Sequence, residues 1–132
     1  MISKRKLPPL PSPAELDILA VLWRLGAATV RQVHDALHKK ASYTTTLTQM
    51  RLMAGKGLLT RSERFGAHVY EPAVPKEKTR QQIAGDLLSR AFDGSAHELV
   101  LGALSAKPAT AEELEGIQGM IEEFKKEKGK SR

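Results

Sequence analysis

Cysteine is absent from the chain of 132 residues. Disulfides, cysteine-held metals, thiol redox sensing and cysteine nucleophiles are thereby excluded. No apolar run approaches membrane-spanning length, and the opening MISKRKLPPLPSP lacks the apolar core of a signal peptide. A cytoplasmic chain without membrane insertion is the expectation. The glycines of Gly55-Lys56-Gly57 do not make a phosphate-binding loop, which needs Gly-Lys followed by Ser or Thr after a strand. No pattern calls for a cofactor or an enzymatic role.

What is present is a globular composition with unevenly placed charge. Hydrophobic residues make up 41% and charged residues 27%, enough apolar surface for cores and too much for general disorder. Residues 1–75 hold 11 Lys and Arg against 5 Asp and Glu, a net of +6. Residues 76–132 hold 10 of each, a net of zero. A basic half joined to a balanced half suggests a polyanion-binding module attached to a segment with another task.

Capping chemistry and periodicity divide the basic half. Ser12, Pro13 and Glu15 open a first helix as a capping box, with Leu16, Leu19, Ala20, Leu22 and Trp23 expected inside and Gly26 as its stop. Thr29 and Gln32 cap a second, with Val30, Val33 and Leu37 at core spacing. A third runs from Ser42 to about Gly55. The period then changes: Leu58–Arg64 and His68–Pro72 flank a Gly-containing turn and read as a β-hairpin. Three helices and a hairpin in this order describe a winged helix-turn-helix whose third helix reads DNA.

On a 100° wheel, Thr46, Gln49, Met50 and Met53 of that helix gather on a core face. Thr44, Thr45, Thr48, Arg51 and Leu52 lie opposite, with Tyr43 and Leu47 at an edge. Threonine hydroxyls suit phosphates and base edges, an arginine suits phosphate or guanine, and a helix N-terminus attracts phosphate. The candidate contacts to double-stranded DNA are therefore Ser42, Tyr43, Thr44, Thr45, Leu47, Thr48 and Arg51, with Arg61 and Arg64 on the wing and His68 across its turn. Lys4, Arg5 and Lys6 read as a basic tail that adds non-specific attraction, the alternative being an arm that enters the minor groove. An alternative use of the fold is a protein-interaction module, with Leu47 and Leu52 as a small apolar docking spot.

The second half reads as three helices, making the chain mainly α: a winged-helix domain over 1–75 and a helical region over 76–132. Its apolar residues include Ile83, Leu87, Leu88 and Phe92, then Leu99, Leu101 and Leu104 after a Ser95/Glu98 box, then Leu114, Ile117, Ile121 and Phe124 after a Thr110/Glu113 box. Fifty-seven residues are few for three apolar stripes. Pairing with a second copy is the economical solution, with packing back on the first domain as the alternative, so Leu87, Leu88, Phe92, Leu99, Leu104, Leu114, Ile117, Ile121 and Phe124 are candidate dimerisation residues.

Two patterns suggest chemistry without supporting it. His34 and His38 stand at i and i+4 with Asp35 after the first, but no third ligand is evident, so they read as surface histidines beside a core stripe. Glu112, Glu113 and Glu115 occupy the first turn of the last helix, where negative charge is favoured in its own right.

The blocks AELDILAVLWRLG, YTTTLTQMRLMAGKGLL and VYEPAV, in that order, resemble the penicillinase-repressor family over about residues 11–125. The resemblance implies a homodimeric winged-helix repressor on an inverted-repeat operator, with the C-terminal helices dimerising. It also implies induction by proteolysis in the C-terminal region, driven by a membrane sensor of β-lactams. Three features depart from the family. Leu52 stands where arginine is common, and Gly102-Ala103 matches the Asn-Phe pair that the sensor's protease cleaves. The cysteine cluster of copper-responsive members is missing.

Overall fold

Local chemistry starts each of the first three helices in the computed structural model, which describes residues 7–38 and 41–130. The basic tail Lys4–Lys6 lies outside the described residues. Helix α1 is Pro13–Leu25, α2 Val30–Leu37 and α3 Tyr43–Lys56. Ser12 and Glu15 form a reciprocal capping box: the Ser12 hydroxyl accepts from the Glu15 N–H at 3.2 Å, and the Glu15 carboxylate accepts from the Ser12 N–H at 2.9 Å. Thr29 and Gln32 repeat the arrangement on α2, at 3.2 and 2.8 Å. Ser42 caps α3 by accepting from the Thr45 N–H. Gly57 ends α3 in the left-handed region at φ +88, where a side chain is strained and glycine is not.

The chain then turns into strands β1, Leu59–Arg64, and β2, Ala67–Pro72, paired antiparallel from Leu59 with Pro72 to Arg64 with Ala67. Both strands differ from the expected Leu58–Arg64 and His68–Pro72 by one residue. Leu58 is taken up by the end of α3, its N–H donating to the Met53 carbonyl, and Ala67 is recruited by the tightness of the turn. Ala28, between α1 and α2, adds a one-residue third strand. Its N–H donates to the Tyr70 carbonyl at 2.9 Å and its carbonyl accepts from the Tyr70 N–H at 2.8 Å.

One core lies inside these elements: Ile18, Leu19, Val21 and Leu22 from α1, Val30 and Val33 from α2, Met50 and Met53 from α3, with Leu58, Leu59 and Tyr70. The buried arc of α1 differs from the expected one. Ala20 is exposed, Leu16 and Trp23 are half-buried, and Ile18 and Val21 take the interior positions. Nearly every residue of Leu16–Trp23 is apolar, so periodicity alone does not choose the arc; contact with α2, α3 and β2 does.

Helix α4 spans Lys76–Ala91, α5 Ala96–Ala106 and α6 Ala111–Lys130. Compactness divides the chain into two units, one ending at Gly85 and the other beginning at Asp86. The division falls inside α4, past the 75/76 boundary read from charge. The early turns of α4 pack on the first unit: Thr79 is buried, Arg80 stands over the Trp23 ring at 5.8 Å, and the Gln82 amide donates to the Pro8 carbonyl at 2.8 Å. In the second unit Ser95 caps α5 and Thr110 accepts from the Glu113 N–H. The Phe92 ring lies where a side chain on Gly102 would meet it at 3.3 Å. Among the described residues from Asp86 onward none is buried. The architecture is a winged helix-turn-helix followed by a helical C-terminal region.

Candidate nucleic-acid interface

Helix α3 separates its threonines. Thr46 is 2% exposed, with Met50 and Met53 at 0%, while Thr44, Thr45, Thr48, Arg51 and Leu52 are all exposed. Tyr43, Leu47 and Gln49 are half-buried along the flanks. The outward face is thus hydroxyl-rich, with one cation and one exposed leucine.

Hydrogen bonding gives the threonines different tasks. Thr46 serves the fold, its hydroxyl 3.0 Å from His34 Nδ1 on α2 and 3.5 Å from the Ser42 carbonyl. Thr45 is part of the cap, its hydroxyl 3.0 Å from the Ser42 hydroxyl. Ser42 and Thr45 therefore form a local pair at the first turn. His34 differs from the expected surface histidine: it is half-buried, tied to Thr46 and set edge-on to Tyr43 at 5.9 Å. His38 ends α2 in the left-handed region at φ 52. The two histidines have separate structural tasks.

Arg31 is a residue that pattern reading passed over. Its guanidinium stands 4.3 Å from the Tyr43 ring centroid, placing a cation beside the α3 N-terminus. There the first N–H groups and the positive end of the helix dipole already favour an anion. The available signal is its place beside the second helix's capping box, three residues before His34. Detecting it also requires the α2–α3 packing, which the sequence does not print.

The wing stands beside this face. Arg51, Ala54 and Gly55 of α3 and Leu59, Thr60 and Arg61 of β1 line one open cleft of about 540 Å³. Arg51 and Arg61 thus border the same hollow from different elements. Arg64 and His68 are exposed further along the hairpin, but Arg64 alternates to the opposite face from Arg61. Glu63 pairs with His68 in register and Glu71 lies opposite Thr60, so the cationic character of the wing is local.

An ion pair beneath the site fixes α3 against α1. Lys56, in the last turn of α3, donates to the Glu15 carboxylate at 2.6 Å. Burial pushes the Glu15 carboxyl up, but the hydrogen bonds from Lys56 and from the Ser12 N–H, with the lysine's charge, outweigh it and hold the group below the usual carboxylate value. No group of three or more His, Asp or Glu able to hold a metal occurs among the described residues. None of the described helices is long and apolar enough to cross a membrane.

The candidate dimerisation residues occupy α4, α5 and α6, except Phe92, which lies in the turn between α4 and α5. Leu87, Leu104, Leu114, Ile121 and Phe124 are exposed, Phe124 at 69%, and Leu88, Phe92, Leu99 and Ile117 are half-buried. Leu101, Val100, Leu104 and Ile121 line an apolar depression with Ala96 and His97.

Comparison with known proteins agrees with this geometry. The family model described as penicillinase repressor matches residues 11–123. The chain is similar to the penicillinase repressor of Bacillus licheniformis, 25% identical over 126 residues covering 94% of this chain and 98% of that protein. It is also similar to the transcriptional regulator BlaI of Mycobacterium tuberculosis, 31% identical over 90 residues covering 66% of this chain and 65% of that one. With the match running from the cap of α1 well into α6, the chain belongs to the penicillinase-repressor family, whose members are transcriptional repressors and not enzymes.

Proposed function

We propose that this chain represses transcription as a homodimer on an inverted-repeat operator, controlling genes of the β-lactam-resistance type or stress genes until a signal, with proteolysis of the C-terminal region as the candidate, releases it. The observation that carries the reading is the division of α3. Thr46, Met50 and Met53 are consumed by the core, while Thr44, Thr48 and Arg51 face outward beside the Arg61 end of the wing. Each α3 would enter a major groove, with Thr44, Thr48 and Arg51 at base edges or phosphates and Ser42 and Tyr43 at the backbone near the helix N-terminus. Arg61 and Arg64 would hold phosphates from the wing. Two such readers need half-sites about one helical turn, ~10 base pairs, or a multiple apart.

The homodimer rests on the second unit. Among its described residues none is buried, yet leucines, isoleucines and a phenylalanine line its helices. A second copy covers such surface with its own equivalent, which closed two-fold symmetry requires. Release by proteolysis has a structural condition. Gly102-Ala103 lies within α5, so a sensor protease must find α5 locally unwound before the bond can enter an active site. The docking-module reading draws on Leu52, which is 59% exposed on the same face as Arg51.

Fluorescence anisotropy on a duplex selected by the protein from a random-sequence pool tests the proposal. Binding should weaken with salt, log K falling with log salt by about 0.9 per phosphate neutralised. Arg51→Ala should lower affinity about tenfold or more, and flatten that slope by about 1 if the contact is to phosphate. Its circular dichroism should be unchanged, because Arg51 is exposed. Selection yielding no duplex, or binding indifferent to salt, refutes the DNA reading.

A further inference from the structure

The tip of the wing is built in a way that the fold does not explain. Arg64 pairs with Ala67, leaving Phe65 and Gly66 as a two-residue turn with φ of +53 and +80. Such turns need the left-handed region at both positions, and Asn-Gly is the favoured pair because asparagine tolerates that region. A phenylalanine there is strained by its backbone. It gains no packing in return, since its relative exposure is 106%. Leu52, the most exposed other large apolar residue among the described residues of the first unit, is at 59%. Removing Phe65 would therefore relieve the fold rather than harm it.

We propose that Phe65 is a wedge that the wing inserts between stacked base pairs in the minor groove next to the α3 site, kinking the duplex. The inference rests on the DNA-binding reading above and adds to it a second point of entry. Phenylalanine is one of the apolar side chains that part base steps from the minor groove, bending DNA toward the major groove.

Reach supports that target. The cleft shared by Arg51 and Arg61 puts the base of β1 against whatever lies along α3. From Arg61 to Phe65 is four residues of extended chain, about 13 Å at ~3.3 Å each. The major groove is about 12 Å wide and the minor groove about 6 Å. A hairpin starting at the edge of the first thus carries its tip past the phosphate ridge to the second. Arg64, exposed and adjacent in sequence, is available for a phosphate of that ridge. The aromatic ring supplies the apolar flat surface that a parted base step exposes.

The test uses the full chain on its selected duplex, with 2-aminopurine placed at successive steps and a donor–acceptor dye pair on the ends. Wild type should brighten 2-aminopurine at one step beside the α3 site and shorten the end-to-end distance. Phe65→Asn should abolish both signals and weaken binding about tenfold. Its Trp23-monitored unfolding midpoint should be equal to or above that of wild type, which shows that the fold is intact. The wedge is overturned if wild type leaves the duplex straight and every step stacked, or if Phe65→Asn retains both signals. It is also overturned if Phe65→Asn lowers the sedimenting mass of the free protein, since Phe65 then belongs to a contact between copies. Wild type binding no duplex at all refutes the parent reading. A straight duplex bound through Arg51 refutes only the wedge.

Discussion

Replacing Glu15 with glutamine should loosen the attachment of the reading helix by a calculable amount. The carboxylate is 8% exposed and takes two donors, the Ser12 N–H at 2.9 Å and Lys56 Nζ at 2.6 Å. Glutamine keeps an oxygen for Ser12, so the capping box survives. Its amide nitrogen then stands where Oε2 met Lys56 and, being a donor, accepts nothing from the ammonium, so both the charge and the Lys56 hydrogen bond disappear. A hydrogen bond to a charged group contributes about 1.5–3 kcal/mol. Two effects reduce that figure. Lys56 is 47% exposed and keeps part of its hydration, and the neutral amide is easier to bury than the carboxylate. The expected loss is about 1–2 kcal/mol at neutral pH, or roughly 4–16 °C in the melting of a unit of this size. The pH dependence gives the sharper test. The folded carboxyl titrates below its ordinary value of 4.5, so between the two values the unfolded chain binds more protons. The stabilisation is complete above 4.5 and is lost as pH falls through the lower folded value. Urea unfolding followed by Trp23, the only tryptophan, should show wild type and Glu15→Gln converging in acid and separating at neutral pH. A separation independent of pH would show that the carboxylate's charge is not what joins α1 to α3.

Two other substitutions probe the interior and the second unit. Tyr70 is fully buried and its hydroxyl has no hydrogen-bond partner among the described residues. Tyr70→Phe should leave stability unchanged or raise it by up to about 1 kcal/mol, and a loss larger than that in urea unfolding would show the hydroxyl to be engaged. Ile121→Asp places a charge on the 48%-exposed apolar face of α6, and analytical ultracentrifugation should find its self-association weakened by an order of magnitude or more with helicity retained. An unchanged sedimenting mass would remove α6 from the dimer contact.

Local features of the fold were legible and long-range ones were not. Ser12 with Glu15 and Thr29 with Gln32 announce helix starts because a capping box is complete within four residues of sequence. The α3 wheel separates Thr46 from Thr44 and Thr48 because the helix period alone sets which way each points. The Glu15–Lys56 pair joins residues 41 apart and the Thr46–His34 bond spans 12. Neither separation has a period, so no pattern on the chain records it. Ala28 pairs with Tyr70 through its backbone N–H and carbonyl, which any residue but proline supplies, so its side chain carries no signal. Arg31 was hidden for the same reason, since its ring partner Tyr43 sits on the next helix. The candidate contacts on α3 could be named from one helix, whereas the supports beneath them depend on three.

Those supports determine how substitutions at the site must be read. Exposure marks Thr44, Thr48 and Arg51 as side chains that can change without disturbing the core. Ser42 and Thr45 differ, because one hydroxyl caps α3 and the other bonds to it. Replacing Ser42 with alanine removes a cap worth about 1 kcal/mol as well as a possible phosphate contact. Loss of DNA affinity in that variant therefore mixes a frayed reading helix with a missing contact. Tyr43 carries the same ambiguity through Arg31 and His34. Arg51 bears no cap, core or ion-pair task among the described residues, so the change in salt slope on its removal reports on the duplex.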